Sequence, residues 1–408
     1  MAAIEFPIYV ERGCGLDVHQ QTVVASIAGK DIEAQTKTFG TFTEELYQLV
    51  GWLQNNWITH IAMESTGVYW KPVYYILEDF FKILLVNARH IKNVPGHKTD
   101  KKDSEWIAKL LMSGLLKGSF VPPQHIRELR TLHRHRRKLT GQRTAEKNRL
   151  QNILEDANIK LGNVVSDVFG KTGKAIIEAL IAGVTDPAQL AELARGSLVK
   201  KKDQLKKALN GKITDHHRFM LQLIVNTITH INNQIALLEA QMGIYIESMK
   251  QDVELLQTIP GVSIQIATGI LAEIGNDMSV FPSHSHLSSW AGVCPGNNES
   301  AGKKKSSRVT HGNKFLKTTL IEAAWAASHS KTNPILAIKH RSIAMRRGAK
   351  KANLAIGHKI LVAAYHILRD KTPFLPSERN QQILQVRRLK RIERLQKELT
   401  ALKNTSEQ

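Results

Sequence analysis

An apolar stripe between Leu221 and Met249 constrains the fold of this chain more than any other sequence feature. Its members alternate by three and four residues over four heptads: Leu221, Ile224, Ile228, Ile231, Ile235, Leu238, Met242, Tyr245 and Met249. This spacing places them on one face of a long α-helix and is typical of a coiled-coil seam. The seam predicts a helical partner, in the same chain or in a second copy, and a single buried helix is the alternative.

The region before this helix has a different pattern. Between residues 14 and 118, β-type runs cover 14–19, 22–28, 36–39, 57–63 and 82–86, and helical spacings cover 43–55, 68–79 and 103–116. Three strands, helix, strand, helix, strand, helix is the element order of the RNase H fold. We therefore predict an α/β N-terminal domain of the RNase H/RuvC-like class over residues 13–120.

Proline residues and changes in the spacing of apolar residues divide the rest of the chain. Val121-Pro122-Pro123 ends the first domain, and residues 121–250 predict a basic, α-helical coiled-coil region. Residues 251–375 predict a mainly α-helical C-terminal domain with Gly-rich loops, in which Trp325 is a core aromatic. Residues 376–408 predict a basic amphipathic helical tail with Ile392, Leu395, Leu399 and Leu402 on one stripe.

The charge balance favours an anionic partner. The chain carries 57 Lys and Arg against 36 Asp and Glu, a formal net charge of +21. Nucleic acid is the first candidate for such a protein and an anionic membrane the second. No apolar run approaches the roughly 18 residues of a spanning helix, and no signal peptide is evident. Two cysteines, Cys14 and Cys294, without a disulfide framework predict a cytoplasmic protein.

Two segments predict contact with the nucleic-acid backbone. Residues 125–150 carry nine Lys and Arg and only two acids, which favours phosphate contacts through Arg134, Arg136, Arg137 and Lys138; a solvated face is the alternative. Ile259-Pro260-Gly261-Val262 resembles the turn of a helix-hairpin-helix motif. Backbone N–H groups at Gly261 would then meet a phosphate, and a plain packing turn is the alternative.

Four acids stand where an RNase H fold would hold a magnesium ion. Asp17 lies in the first predicted strand and Glu64 at the end of the fourth, whereas Asp100 and Asp103 start a helix and share a face. Mg²⁺ prefers such hard oxygen ligands, and a cation offsets the repulsion among gathered carboxylates. Asp100 and Asp103 could also be helix-capping acids. Asp17 and Glu64 each interrupt an apolar strand, which favours a metal site.

A second candidate site is the loop at residues 295–308. It holds small residues, three serines (Ser300, Ser306 and Ser307) and four cations (Lys303, Lys304, Lys305 and Arg308). A serine hydroxyl needs a base or a metal to become a nucleophile, and this loop has no local His/Asp pair. From the residues alone, the loop is either a solvated phosphate-binding loop or the carrier of a nucleophilic serine.

The order of several motifs resembles the transposases of the insertion sequence 110 family, also called DEDD transposases. The N-terminal motifs are Gly-Leu-Asp-Val-His, Met-Glu-Ser-Thr-Gly and Lys-Thr-Asp-Lys-Lys-Asp. The C-terminal motifs are Leu-Leu-Gln-Thr-Ile-Pro-Gly-Val, Trp-Ala-Gly-Val-Cys-Pro-Gly-Asn-Asn-Glu-Ser-Ala-Gly and His-Gly-Asn-Lys-Phe-Leu-Lys. The resemblance extends from about residue 13 to 370 and is weak over 160–215.

This resemblance implies a bacterial enzyme that cuts and rejoins the DNA of a mobile element. It implies that the four acids hold Mg²⁺, and it assigns the catalytic serine to Ser300, where this chain reads Ser-Ala-Gly and many relatives read Ser-Gly. Ser306 and Ser307 remain the alternatives. A phosphoserine link would conserve the energy of the phosphodiester bond, so that strands could be rejoined without ATP.

The resemblance also implies partners. In the family, acid and serine domains of different protomers are thought to form a composite site, which implies a homo-oligomer, dimer or tetramer. A structured non-coding RNA, the bridge RNA, pairs with donor and target double-stranded DNA. The competing hypotheses are a RuvC-like hydrolytic nuclease, in which Ser300 only binds phosphate, and a non-catalytic nucleic-acid-binding scaffold.

Overall fold

The computed structural model describes residues 10–65, 67–87, 100–294, 298–300, 303–306, 309, 311–331 and 334–375, together with 382, 385–386, 388–389 and 392–397. The chain divides into two compact units, Met1–Val121 (unit 1) and Pro122–Gln408 (unit 2). Most of the predicted tail at 376–408 lies outside the described residues, although 392–397 are helical. No helix in the described part of the chain is both long and apolar enough to cross a membrane.

Unit 1 is built on a five-stranded mixed sheet of order β3-β2-β1-β4-β5. The strands are β1 (Arg12–Val18), β2 (Thr22–Gly29), β3 (Ile32–Gly40), β4 (His60–Glu64) and β5 (Lys82–Val86), and the helices are α1 (Thr43–Asn55), α2 (Trp70–Leu77) and α3 (Asp100–Met112). Antiparallel pairing joins β1, β2 and β3, whereas β1, β4 and β5 run parallel. The predicted α/β class and element order are confirmed.

Helices cover both faces of this sheet. Successive strand residues point to opposite faces, so Ile61 and Met63 of β4 pack in the core with α1 and α2. Ala62, between them, packs with Ile107 and Leu110 of α3 on the other face. Burial on both faces explains why β2, β4 and β5 are largely apolar in sequence.

Unit 2 is helical in its described residues apart from one hairpin, which confirms the predicted helical middle and C-terminal regions. The α-helices are α4 (Gln124–Asp156), α5 (Leu161–Val164), α6 (Lys171–Ile181), α7 (Pro187–Glu192), α8 (Lys202–Ala208), α9 (Asp215–Glu247), α10 (Lys250–Gln257), α11 (Ile264–Ile274), α12 (His284–Ala291), α13 (Lys314–Ser328), α14 (Ile335–Arg347) and α15 (Ala349–Asp370). Gly196–Lys201 and Met278–Val280 are 3₁₀ turns, and β6 (Asn298–Ser300) pairs with β7 (Lys303–Ser306).

The predicted seam lies on α9 apart from Met249, which follows the end of this helix, and its partner is α4 of the same chain. Side-chain hydrogen bonds join the two helices in opposite chain directions, which makes the pair antiparallel: Glu128–Tyr245, Arg136–Glu239, Arg143–Asn232 and Asp156–His217. Ile231 and Ile235 of the seam pack with Leu139 of α4 in one buried cluster. The coil is therefore formed within one chain.

The C-terminal part of unit 2 packs around α11. Every residue of this helix from Ala267 to Ile274 is buried, and α4 and α13 both contact it. A helix that is apolar on all sides is stable only when neighbours cover it completely. Consequently α11 is the core element that joins the basic helix α4 to the helices that follow the serine loop.

Candidate active site and basic surfaces

Asp17 and Glu64 lie at the same end of the sheet in unit 1. Their strands, β1 and β4, are parallel neighbours, and Leu16 pairs with Met63. The next residue on each strand is the acid, so both acids stand side by side at the carboxyl ends of β1 and β4. Parallel pairing of the strands thus brings together two acids that are 47 positions apart in the sequence.

Both acids point to the face of the sheet that carries α3. Residues two apart on a strand share a face, so Asp17 lies on the same face as Gly15, and Glu64 lies on the same face as Ala62. A Cβ added at Gly15 would lie 2.1 Å from the carbonyl oxygen of Ser104 in α3, and Ala62 packs against the apolar side of α3.

The direction of α3 brings its acidic start toward Asp17. A Cβ at Gly13 would meet the last turn of α3, whereas one at Gly15 would meet its second turn. The helix therefore runs antiparallel to β1, and its N-terminal end lies toward the carboxyl end of the strand. Asp103 is partly buried at this end, and the side chain of Asp100 lies outside the described residues.

The donors at this end of the sheet fit a hard divalent cation in their chemical type. The side chain of Asp17 is 13% exposed, and its Oδ2 lies 3.1 Å from Nε2 of His19. Among the described side chains, no three acids, histidines or cysteines are close enough together to hold a metal ion, and Asp100 is not one of those side chains. Asp17, Glu64 and Asp103 offer carboxylate oxygens, the ligands that Mg²⁺ prefers.

A buried hydroxyl pair that was not predicted from the sequence holds α3 on the sheet. The Oγ atoms of Ser104 and Ser26 are 2.7 Å apart, and both residues are buried. Ser26 Oγ is also 2.8 Å from Oγ1 of Thr36. A buried hydroxyl needs such a partner, so the pair fixes the position of the helix that begins with the two acids. The serine directly after Asp103, together with Gly15, was the available signal.

The serine loop forms a short hairpin in unit 2. Ser300 is the last residue of β6 and pairs with Lys303, the first residue of β7. Ser306 pairs with Asn298 at the opposite end of the hairpin. The backbone thus places Ser300 next to the connection between the two strands, and Ser306 at their base. The side chains of these residues, and all of Ser307 and Arg308, lie outside the described part, as do those of Lys304 and Lys305.

The segments before and after this hairpin are in close contact. A Cβ at Gly312 would lie 2.3 Å from the backbone nitrogen of Gly292, so only glycine allows this approach. The backbone N–H of Asn313 donates to the carbonyl of Trp290, and its Nδ2 lies 2.6 Å from Oε2 of Glu273. These contacts fix where the hairpin leaves the helical body.

Glu273 is the centre of a buried charged cluster. Its side chain is fully buried, and Arg134 donates to both carboxylate oxygens at 2.8 Å. The Nε of Arg130 lies 3.5 Å from the same carboxylate. The guanidinium of Arg134 also stacks over the ring of Phe315, 4.2 Å from its centroid. A buried carboxylate needs this degree of compensation to remain charged.

The arginines predicted to bind nucleic acid all have carboxylate partners within the chain. Beside the Arg134–Glu273 pair, Arg136 contacts Glu239 of α9 and Arg137 contacts Glu322 of α13. Lys138 is exposed. Arg134 therefore has a structural role, and its predicted contact with a phosphate stays a prediction. Phosphate contacts by Arg136, Arg137 and Lys138 stay a prediction.

The Gly261 turn has a packing reason for its glycine. It joins α10 to α11, and Gly261 has a φ of 86°. A Cβ there would lie 2.5 Å from the carbonyl oxygen of Ala323 and from the nitrogen of Ala327 in α13. The alternative of a packing turn thus has direct support, and phosphate contact by this turn stays a prediction.

Trp325 was predicted to be a core aromatic, and this prediction is wrong. It lies on α13, and 61% of its surface is exposed. The buried face of α13 is formed by smaller residues, among them Leu320, Ala323 and Ala324. The ring of Trp325 instead contacts that of His329, one helical turn away, with 4.6 Å between the ring centroids and 46° between the ring planes.

Comparison with known proteins identifies relatives over nearly the whole chain. A family model described as transposase, of the DEDD type, matches residues 14–159, and the model described as Transposase IS116/IS110/IS902 family matches residues 253–340. The pilin gene-inverting proteins of Moraxella bovis and Moraxella lacunata are 23% and 27% identical, over 88% of this chain and 96% of each relative. A probable family 20 transposase of Pseudomonas aeruginosa is 22% identical over 78% of this chain and 86% of its own.

Proposed function

Because the chain belongs to the IS116/IS110/IS902 family of transposases, we propose that it cuts and rejoins DNA through a serine nucleophile assisted by carboxylate-bound magnesium. The observation that carries this proposal is the placement of Asp17 and Glu64 on one face and at one end of the sheet, with the start of α3 directed toward them. The strand order 3-2-1-4-5 supports an RNase H/RuvC-like assignment for this unit.

Two relatives favour recombination over hydrolysis. The Moraxella proteins are named as pilin gene-inverting proteins, and inversion of a gene requires that every broken strand be joined again. A hydrolytic nuclease leaves free ends and loses the energy of the phosphodiester bond. The RuvC-like nuclease is therefore the second candidate, and the non-catalytic scaffold the third.

Ser300 is the proposed nucleophile. Its Oγ would attack the phosphorus atom of the DNA backbone, forming an O–P bond while the bond from phosphorus to the leaving deoxyribose oxygen breaks. The proton of the serine hydroxyl leaves, and the departing deoxyribose oxygen takes up a proton. Attack of another strand's hydroxyl on the phosphoserine reverses these changes, so that a new phosphodiester forms and Ser300 is released. Lys303, paired with Ser300 at the end of the hairpin, supplies a positive charge for the phosphate.

Asp17, Glu64, Asp100 and Asp103 would hold the magnesium. When bound, the ion supplies Lewis-acid stabilisation of charge on the phosphoryl oxygens. The protein contributes the fixed positions of the carboxylates, through the parallel pairing of β1 with β4 and the packing of α3 on Gly15. The Ser26–Ser104 bond serves to position the helical pair of acids.

The proposed partners are donor and target double-stranded DNA and a structured non-coding RNA. The net charge of +21 supports polyanionic partners. Guidance by RNA is tested by purifying the protein from cells that carry the whole element and sequencing the RNA bound to it. Recovery of one element-encoded RNA is expected, and recovery of bulk cellular RNA alone contradicts guidance.

We also propose that α9 joins two copies of the chain. Opposite its buried seam, α9 exposes Leu223, His230, Leu237 and Ile244 at intervals of seven residues. The two leucines stand seven residues on either side of His230, so antiparallel pairing of two copies would bring Leu223 of each against Leu237 of the other. Replacement of both leucines by lysine should lower the mass measured by analytical ultracentrifugation to that of one chain. An unchanged mass contradicts this contact.

The metal half of the proposal is tested by magnesium-dependent strand cleavage. Asp17→Ala and Glu64→Ala should each abolish cleavage, because each removes a ligand from the site, and should leave the melting temperature close to that of the wild type. His60→Ala, at the opposite end of β4, is the matched control and should cleave normally. Cleavage retained in either acid variant contradicts the metal assignment.

A further inference from the structure

The stretch between Glu322 and Asp370 contains no acidic residue. It carries nine cations: Lys331, Lys339, Arg341, Arg346, Arg347, Lys350, Lys351, Lys359 and Arg369. Residues 125–150 carry the same number of Lys and Arg and were predicted to bind nucleic acid, although their central arginines contact carboxylates within the chain. The acid-free stretch was not singled out from the sequence.

The structure concentrates these cations at one turn. Helix α14 ends at Arg347 and α15 begins at Ala349, with Gly348 between them at a φ of 83°. Arg346, Arg347, Lys350 and Lys351 flank this glycine, and all four are exposed. We name this surface, together with Arg341, the α14–α15 turn surface.

The burial of α14 shows why the turn is accessible. Ile335, Leu336 and Ala337 at the start of the helix are buried, whereas Arg341 and every residue from Met345 to Lys351 are exposed. The first turn of α14 therefore anchors the helix in the body of unit 2. Its end and the following turn face solvent.

The cations of this surface have no carboxylate partners among the described residues. Arg341, Arg346, Arg347, Lys350 and Lys351 make no ion pair there, and the Nε of Arg346 donates to the carbonyl of Ser342. Arg369, at the far end of α15, is paired with Asp370. Clustered cations repel each other, and a polyanion offsets that repulsion by releasing its counterions.

We propose that the α14–α15 turn surface binds the phosphodiester backbone of double-stranded DNA, in addition to the serine loop. The proposal rests on the proposed function only in that the chain acts on DNA, and it needs neither Ser300 nor the acids. A membrane is the less suitable anion, because Met345 is the one large apolar side chain exposed among the described residues 341–351. Interfacial membrane binding needs a broad apolar face beside the charges.

The test compares two variants with equal loss of charge. In the first, Arg346, Arg347, Lys350 and Lys351 are replaced by Gln. In the control, the same replacement is made at Lys200, Lys201, Lys206 and Lys207, which are exposed on the 3₁₀ turn before α8 and on α8 itself. Binding to a 30-base-pair duplex of random sequence is measured by fluorescence anisotropy at several KCl concentrations. Thermal melting of each variant verifies that it is folded.

Each phosphate contact contributes roughly 0.9 to the slope of log K against log salt on duplex DNA. The magnitude of this slope should therefore decrease by about 2–4 in the first variant and by less than about 1 in the control. Equal losses in the two variants would mean that net charge alone governs binding and would overturn the proposal. An unchanged slope in the first variant would also overturn it.

Further arms identify the ligand. The same variants are measured with single-stranded RNA of equal length and with vesicles of phosphatidylserine and phosphatidylcholine. The proposal expects the largest loss on duplex DNA, and a loss confined to RNA or to vesicles would overturn it. Arg346→Lys with Arg347→Lys keeps the charge and should keep the slope. Ser300→Ala should bind the duplex like the wild type, so failure of the serine mechanism is distinguishable from failure of this surface.

Discussion

Residues 125–150 and the acid-free stretch between Glu322 and Asp370 carry nine cations each, and the cations at the centre of the two regions have opposite surroundings. In residues 125–150, Arg134, Arg136 and Arg137 contact glutamates that are more than 100 positions away in the chain. At the α14–α15 turn surface, no described carboxylate reaches the cations. Cation density in a sequence therefore does not distinguish a surface that binds an anion from a face that packs. The carboxylates that other elements supply decide between the two.

The first region holds the unit together. Arg134 and Arg130 lie on α4, Glu273 lies in the last turn of the buried helix α11, and Asn313 caps the start of α13. The cluster thus connects three helices at the base of the serine hairpin. Removal of one partner from a buried pair is expensive because the remaining charge is left without compensation.

In the comparison of the two basic regions, the largest expected effect is therefore on stability, at Arg134. Arg134→Ala should lower the free energy of unfolding by about 3 kcal/mol, because Glu273 stays buried with only Arg130 and Asn313 as partners. Arg346→Ala is the matched control and should change stability by less than about 0.5 kcal/mol, because Arg346 is exposed and makes no ion pair with any described residue. Urea denaturation measures both. Similar losses in the two variants would break the comparison between the regions.

The pH dependence of stability tests the same cluster through His133. Burial lowers the pKa of this histidine to about 4, against the opposing effect of Glu273. In the unfolded chain His133 binds a proton below about pH 6.5, whereas in the folded chain it binds one only below about pH 4. The free energy of unfolding therefore decreases as the pH falls from about 6.5 to about 4. The loss should reach about 2–3 kcal/mol.

His133→Gln should remove this part of the pH dependence. Denaturation of the wild type and of the variant is compared at pH 7 and pH 4.5, so that titration of all other groups cancels in the difference. If the pH dependence of stability in His133→Gln equals that of the wild type, His133 binds its proton equally in the folded and the unfolded chain, which contradicts this prediction.

A smaller effect is expected where the strip is partly exposed. The carboxylates that contact Arg136 and Arg137 are 47% and 58% exposed, so each alanine variant should cost less than about 1 kcal/mol. The double variant should change the salt slope for duplex DNA less than the four-glutamine variant of the turn surface does. A larger change would return the main nucleic-acid contact to α4, as the sequence analysis predicted.

The smallest effect is expected at Trp325. Because most of its surface is exposed, Trp325→Ala should lower the free energy of unfolding by less than about 1 kcal/mol. Leu320→Ala, one helical turn and one residue earlier and fully buried, should lower it by about 2–5 kcal/mol. A tryptophan variant as unstable as the leucine variant would restore Trp325 to the core.

The contrast also explains which parts of the fold were predictable. Periodicity is a local signal, so α1 and β5 were predicted with their observed bounds, and the long helix α9 was predicted from a stripe that begins six residues after its first residue. Helix α3 begins three residues earlier and ends four earlier than predicted, because its first acids continue the helix. The partners of Arg134 and Arg137 were unpredictable because they come from α11 and α13. The sequence of α4 itself contains no pattern that indicates these partners.

The acid site was predictable for a related reason. Asp17 and Glu64 each stand at the end of an apolar strand, and parallel pairing necessarily brings such ends together. The Ser26–Ser104 bond was missed because serines carry no periodic signal, and their pairing depends on how α3 lies on the sheet. Ser300 was selected by family resemblance, and its position at the end of β6 distinguishes it from Ser306 at the other end of the hairpin.

The most direct test of the central claim is the chemistry at Ser300. A cleavage reaction on nicked duplex DNA is stopped by denaturation, separated by electrophoresis, and the protein–DNA adduct is mapped by peptide mass spectrometry. A phosphodiester link to Ser300 is expected in the wild type and none in Ser300→Ala, whereas Ser306→Ala should still form it. A cut strand with a free phosphate and no attached protein, or an adduct on Ser306 or Ser307, would contradict the account.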